Sequence, residues 1–285
     1  AIAEWAARED LLAEAEERFR EAWEGMGRPI VICACPTCKK VFGQYYEAET
    51  AGIWEILLEL GVEPLEGLTA AVHDACGARG DRKTQEEVRA LAQALGCQVK
   101  DMPFSGDLSP CCGFGGLVKY ANPQVAEEKA AFAAGRTEGT VITYCMACKD
   151  QFARTGADAR HILELVYGTG GGPVPDLSRR RKNRLELKQR LLRELWKEDT
   201  AMEDRISVRY AQGALEEMEE RMILQSDVEA ALGAYEETGT AVCDQEHGWL
   251  VTSHRLGNVT FWVKFQKEED GYTVFGAYSH RMTVE

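Results

Sequence analysis

The chain has 285 residues, 45% of them hydrophobic, which is enough for two ordinary domains with packed cores, and no apolar run approaches the length of a membrane span. Its formal net charge of −14 argues against nucleic acid as a partner, because phosphate binding needs a basic surface. Ten cysteines without a secretory signal pattern argue against a disulfide framework and for metal ligation or redox chemistry in a reducing, cytoplasmic setting.

Residues 9–23 are Ala/Glu-rich and helical. A short apolar strand at Val31-Ile32 leads into Cys33-Ala34-Cys35-Pro36-Thr37-Cys38, and residues 53–58 form a short apolar helix. Residues 68–73 read as a strand ending at Asp74-Ala75-Cys76. Residues 84–95 form an amphipathic helix with Val88, Leu91, Ala92 and Leu95 on one face. A weaker strand at 98–102 precedes Cys111-Cys112-Gly113-Phe114-Gly115-Gly116. Residues 123–134 are helical, Val141-Ile142 is a strand running into Cys145-Met146-Ala147-Cys148, and residues 162–166 form another short apolar helix.

These segments contain an internal repeat. Residues 31–42 and 141–152 share Val, Ile, both CxxC cysteines, Lys and Phe in register, with a helix before and an apolar helix after each copy. Counted back from Cys35, the first copy would place its own adjacent cysteine pair at about residue 2. The chain therefore reads either as a piece of a longer polypeptide or as having a degenerate first half. Alternating strands and helices predict an α/β fold with a mostly parallel sheet, and put the cysteines at strand ends and in the loops after them.

Residues 168–175 (GTGGGPVP) read as a linker. A charged helix is expected over 177–197. Its basic run, Arg179-Arg180-Arg181-Lys182, is more simply a solvated helix start or linker than a nucleic-acid or lipid site. A helix follows through 213–222, and Ser226-Asp227-Val228-Glu229 reads as a capping box for the next. Strands are expected at 249–253, 259–265 and 272–278, with turns at Gly257-Asn258 and Asp270-Gly271. The expected organisation is a cysteine-rich domain over 1–168, a linker and charged helix over 169–199, and a small α+β domain with an antiparallel sheet over 200–285.

Five thiols in the order C…CC…CxxC, namely Cys76, Cys111, Cys112, Cys145 and Cys148, are the strongest chemical signal. Thiolates ligate soft or borderline metals, and four-cysteine sites divide between zinc and iron–sulfur clusters. Zinc wants a compact tetrahedron, which Cys35, Cys38, Cys145 and Cys148 could supply, leaving the adjacent pair without a role. A cluster has several irons, so neighbouring thiolates can each take a different one. Gly113, Gly115 and Gly116 would then let backbone approach the cluster and donate N–H groups to its sulfides. Read as a phosphate loop, the glycines lack the GK[ST] that should follow.

The order His73-Asp74…Cys76…Cys111-Cys112-Gly113…Cys145-x-x-Cys148 resembles the cysteine-rich CCG domain of heterodisulfide reductase catalytic subunits and related iron–sulfur oxidoreductases, over roughly residues 29–168. The resemblance implies a noncubane [4Fe-4S] cluster held by all five thiolates. It also implies electron transfer to a disulfide, thiol or quinone, with flavoprotein or ferredoxin-type subunits as partners. His73 stands where that family has a histidine before its first cysteine, as a proton carrier or as a structural residue. Family members usually carry two such units, and here the first retains Cys35 and Cys38 as a second site or a relic, with Cys33 as a third ligand or a core thiol. The alternative from a different class is a zinc-stabilised binding module that docks a redox partner. Cys97 reads as packing, and Arg79 and Lys119 as offsets to cluster charge or as surface. In the tail, Cys243, His247, His254 and His280 are candidate zinc ligands or simply strand surface.

Overall fold

The computed structural model describes residues 2–170, 172–198 and 206–282. Gly171 and Asp199 of the expected linker and charged helix, and residues 200–205 and 283–285 of the expected tail domain, lie outside the described residues. The chain divides into two compact units, Ala1–Val174 and Pro175–Glu285.

The first unit runs α1 (Ile2–Trp5), α2 (Glu9–Gly25), β1 (Val31–Cys33), α3 (Pro36–Gln44), β2 (Thr50–Gly52), α4 (Ile53–Leu60) and β3 (Thr69–His73). A 3-10 turn at Cys76–Ala78 leads to α5 (Arg82–Ala94) and β4 (Gln98–Asp101). A second 3-10 turn at Gly106–Leu108 precedes α6 (Val118–Ala121), α7 (Pro123–Ala134), β5 (Thr140–Thr143), α8 (Met146–Arg154), β6 (Ala159–His161) and α9 (Ile162–Val166). Four strands form a sheet in the order β4-β3-β5-β6, and every pairing in it is parallel. β1 and β2 form a separate parallel pair. The fold is thus α/β with a parallel sheet, as the alternation of elements predicts.

β3 and β5 are central strands with almost every residue buried, which is why they read as short continuous apolar runs without alternation. α5 covers them with Val88, Leu91 and Ala92, and α7 does so with Ala130, Ala133 and Ala134. The alanines of α7 keep that helix close to its neighbours. Asp81 caps α5 by accepting from the Thr84 N–H at 3.1 Å, and Asn122 caps α7 by accepting from the Val125 N–H at 3.1 Å.

The repeat is visible in the backbone. β1-α3-β2-α4 has the same element order as β5-α8-β6-α9. Cys35 and Cys145 each stand in extended conformation as the N-cap of their CxxC helix, at φ −144°, ψ 129° and φ −133°, ψ 117°. Gly52 and His161 cap the apolar helices at φ −79°, ψ 139° and φ −79°, ψ 140°. The three-residue strands β2 and β6, which join these helices, are too short to leave a sequence period.

The second unit contains α10 (Leu177–Leu191), continued by a π-helical turn at Leu192–Trp196, then β7 (Val208–Tyr210), α11 (Ala214–Glu220), α12 (Gln225–Thr238), β8 (Val242–Cys243), β9 (Leu250–Leu256), β10 (Val259–Glu268) and β11 (Gly271–His280). Its sheet has the order β7-β11-β10-β9-β8. β8 to β11 pair antiparallel as expected, and β7 joins the edge of β11 in parallel, making the sheet mixed. Val263, Phe265, Tyr272 and Val274 pack on Met218, Val228 and Leu232 of the helices. The cap lies two residues earlier than the sequence suggests, and only the carboxylate half of a capping box forms. Leu224 is the N-cap of α12, and its N–H donates to Asp227 at 2.9 Å, while the Ser226 hydroxyl is buried without a partner. Asp227 reaches back to the cap because a carboxylate at N3 can accept whatever side chain the cap carries. Among the described residues no helix is long and apolar enough to cross a membrane.

Candidate metal centre

Seven cysteines of the first unit lie beyond the C-terminal ends of its parallel strands or in the first turns of the helices that follow. Cys76 follows β3, Cys145 follows β5, Cys35 follows β1, and Cys111-Cys112 lies in the long connection after β4. Cys38 and Cys148 stand in the first turn of α3 and α8, one CxxC spacing beyond the N-caps.

These seven thiols influence one another electrostatically in the sequence Cys76, Cys111, Cys112, Cys148, Cys145, Cys35, Cys38, which makes them one neighbourhood, the string of thiols. No disulfide joins them. Cys112, Cys145 and Cys148 are buried, Cys35 and Cys111 are partly covered, and Cys76 and Cys38 at the two ends are exposed. Among the described residues no three His, Cys, Asp or Glu side chains converge closely enough to enclose one metal ion. Five thiols with an adjacent pair among them exceed the four ligands of one tetrahedral zinc, and suit a cluster whose several irons can bind neighbouring cysteines separately. The donor set therefore fits an iron–sulfur group better than a lone zinc ion.

Two thiols inside the string, Cys111 and Cys35, are held below the usual thiol range. The Cys111 thiol is held down by the neighbouring Cys112 and Cys76 thiols, and the N–H groups of Gly113 and Gly115 add to this. Cys35 is held down by Cys145 and Cys38, with the N–H groups of Cys38 and Thr37 at the start of α3 contributing. The partners move the other way: contact with Cys111 raises Cys76, and raises Cys112 to about 12. Backbone N–H groups aimed at thiolates are the same donors that would solvate cluster sulfides.

Two glycines are fixed by close approach. Gly113 has φ +84°, and a Cβ on it would lie 2.4 Å from the Ala126 carbonyl oxygen on α7; its N–H lies 3.3 Å from Cys111 Sγ. Gly77, next to Cys76, would place a Cβ 2.5 Å from Thr37 Oγ1 and 2.8 Å from the Thr37 nitrogen. The Cys76 turn thus rests directly on the first CxxC turn. Sequence reasoning missed Gly77, which sits in no glycine cluster. Gly116 has φ +63° with open space around it, and a Cβ on Gly115 would only reach Trp5 at 3.8 Å.

Asp74 organises the floor of the site. Its carboxylate is buried and accepts from Arg89 Nη1 and Nη2 at 2.8 and 2.7 Å, from the Gly106 N–H at 2.6 Å and from the Tyr144 hydroxyl at 3.1 Å. Burial pushes this carboxyl up, but Arg89, Gly106 and Tyr144 outweigh it and hold it below the usual range. His73 is buried beside it. Its Nδ1 lies 3.4 Å from Ser109 Oγ and 3.3 Å from Arg136 Nη2, its Nε2 has no partner, and its ring meets Phe152 edge-on at 4.7 Å. Burial and the Arg136 charge push His73 down to about 4, so the ring is neutral at pH 7. Arg79 donates to the Ser109 carbonyl at 2.9 Å, and Lys119 lies over the rings of Phe114 and Tyr120.

The structure leaves the other cysteines of this unit outside the string. Cys33 is buried and its thiol lies 3.7 Å from the Val31 carbonyl. Cys97 is buried in the main core. A groove of about 570 Å³ opens on Cys35 and Cys38, lined also by Phe42, Met146, His161 and Tyr167. His161 was not singled out from sequence, although His161-x-x-Glu164 is a readable cap: the His161 N–H donates to Glu164 at 2.8 Å, and its Nδ1 accepts from Leu163. In the second unit, Cys243, His247, His254 and His280 are not brought together. His247 pairs with Asp244 at 3.2 Å, and His280 Nε2 accepts from Trp262 Nε1 at 2.9 Å.

Residues 70–153, which contain Cys76, Cys111, Cys112, Cys145 and Cys148, match the family model described as the CCG cysteine-rich domain. The chain is also 31% identical over 176 residues to a subunit of the fumarate reductase (CoM/CoB) of Methanothermobacter marburgensis, across 55% of this chain and 35% of that protein. It thus spans about a third of the length of the curated relative it matches. Over residues 70–153 this chain is accordingly similar to the cysteine-rich CCG family.

Proposed function

We propose that this chain is an iron–sulfur redox subunit, or part of one, in a heterodisulfide-reductase-like complex. Cys76, Cys111, Cys112, Cys145 and Cys148 would hold a [4Fe-4S] cluster, noncubane as in the resembling family. The group would supply one-electron steps, and the protein supplies its ligands, its N–H donors and its burial. The observation that supports this reading is that Cys76, Cys111, Cys112, Cys145 and Cys148, all within the matched domain, neighbour one another on loops and helix starts around β3 and β5. The match to a protein named as a reductase subunit supports the same class.

The chain's own groups have distinct tasks in this reading. The N–H groups of Gly113 and Gly115 stabilise negative charge at Cys111. His73, neutral and buried, would pack against Phe152 beside the cluster without adding charge to it. The groove over Cys35 and Cys38 is large enough for a small disulfide, thiol or quinone, and such a substrate would meet the exposed end of the string there. Electrons would come from a flavoprotein or ferredoxin-type subunit in the cytoplasm.

The test is anaerobic reconstitution with iron and sulfide, followed by reduction and addition of a small disulfide or a quinone analogue. Reoxidation of the chromophore supports the proposal, with the terminal acceptor identified by the faster of the two. A bound cluster indifferent to disulfide, thiol and quinone alike would reduce the role to a relay toward a protein partner.

A further inference from the structure

We propose that Asp74 is the positioning residue that holds the three cysteine-bearing loops at one spacing before any metal arrives. Its carboxylate joins chain segments that are far apart in sequence. Gly106 is 32 residues away, Tyr144 is 70 and Arg89 is 15. Each of the loop partners stands just before a ligand candidate. Asp74 itself is two residues before Cys76, Tyr144 immediately precedes Cys145, and Gly106 begins the turn that runs into Cys111-Cys112.

Both carboxylate oxygens are used, with Oδ1 taking Arg89 Nη1 and the Tyr144 hydroxyl, and Oδ2 taking Arg89 Nη2 and the Gly106 N–H. Four directional bonds on a side chain 1% exposed leave the loops little room to slide. A second prop acts on the same connection. Arg136, just after α7, donates to the carbonyls of Pro103, Phe104 and Ala133, and faces His73. Stability alone does not explain this design, because a buried ion pair is a weak source of it and an apolar cluster of equal volume would do as well. What the ion pair adds is direction, and a multi-thiol site needs its ligands held close to final spacing.

The experiment uses Asp74→Asn and Tyr144→Phe in the chain as it exists, metal-free and reduced, read by hydrogen–deuterium exchange. In Asp74→Asn, exchange should accelerate together by about tenfold over residues 74–78, 104–116 and 144–148, with the β-sheet unchanged. In Tyr144→Phe, only 144–148 should accelerate. A folded Asp74→Asn with the three loops unchanged, or with exchange raised only in α5 around Arg89, would overturn the proposal. Where Asp74→Asn does not fold, Tyr144→Phe decides by the same criterion at 144–148. On reconstitution, both variants should lose iron affinity by about 10- to 100-fold and give a broadened electron paramagnetic spectrum. This second readout rests on the iron–sulfur reading. If the unsubstituted chain takes up no iron, that reading fails, while the exchange result still decides the role of Asp74.

Discussion

Gly113→Ala is the sharpest probe of how the adjacent cysteines are held. The new Cβ would lie 2.4 Å from the Ala126 oxygen and 2.9 Å from its Cα, which are backbone atoms of α7 that no rotamer change can move aside. The residue would also keep φ near +84°, which costs a non-glycine about 1–2 kcal/mol. Forcing the loop and helix apart adds about 1–3 kcal/mol, as for other overpacked cores. The sum, about 2–5 kcal/mol, would lower the Tm of a unit of this size by roughly 4–20 °C. Two controls bracket it. Gly116→Ala meets open space and should lose only the φ penalty, about 1–2 kcal/mol. Gly115→Ala has no positive φ and meets Trp5 at ordinary contact distance, so it should be neutral or slightly stabilising. Calorimetry on the metal-free, reduced protein reads all three without interference from a cluster. Equal Tm values for the Gly113 and Gly115 variants would refute the packing of this loop against α7.

Cys112→Ser should stay folded yet bind much less iron after reconstitution, since it interrupts the string between Cys111 and Cys148; unchanged iron content and spectrum would remove it from the ligand set. Lys149 and Glu164 form a buried pair at 3.2 Å, so Lys149→Ala should destabilise by about 3–5 kcal/mol, against about 1 kcal/mol for Lys39→Ala at the more open Asp81 contact. Denaturant midpoints give both, and a reversed order would contradict the burial. The carboxyls of Asp81 and Asp158 are held below the usual value, in spite of burial at Asp81 by Lys39 and at Asp158 chiefly by Thr140. Their contribution is therefore present above the unfolded value near pH 4 and is lost as pH falls through the lower folded values, so the metal-free Tm should drop on acidification below about pH 4.

Much of the fold was legible because its signals are local. The apolar stripe at Val88, Leu91, Ala92 and Leu95 and the Pro123 start of α7 each announce a helix, and β3 and β5 are short apolar runs. The repeat was legible because Cys35 and Cys145 are N-caps of equivalent helices, so the same turn chemistry recurs at the same spacing. The strands β2 and β6 were not, since three residues carry no period. The cap of α12 was displaced because Ser226 has a capping residue's identity while Asp227 performs the capping. At the site, the thiols are proposed as ligands from their order alone. Their contacts could not be read that way: that Cys35 meets Cys145, that Gly77 rests on Thr37, and that Asp74 gathers Arg89, Gly106 and Tyr144 all depend on long-range packing.

If the thiol string holds an iron–sulfur cluster, iron and inorganic sulfide travel with the chain. The most direct measurement is combined metal and acid-labile sulfide analysis of the anaerobically purified or reconstituted chain, with Mössbauer spectroscopy of the iron. The expected result is a brown protein with about four irons and about four sulfides per chain, lost together in Cys112→Ser. One zinc per chain, no sulfide and no visible absorption would contradict it and favour a structural zinc module.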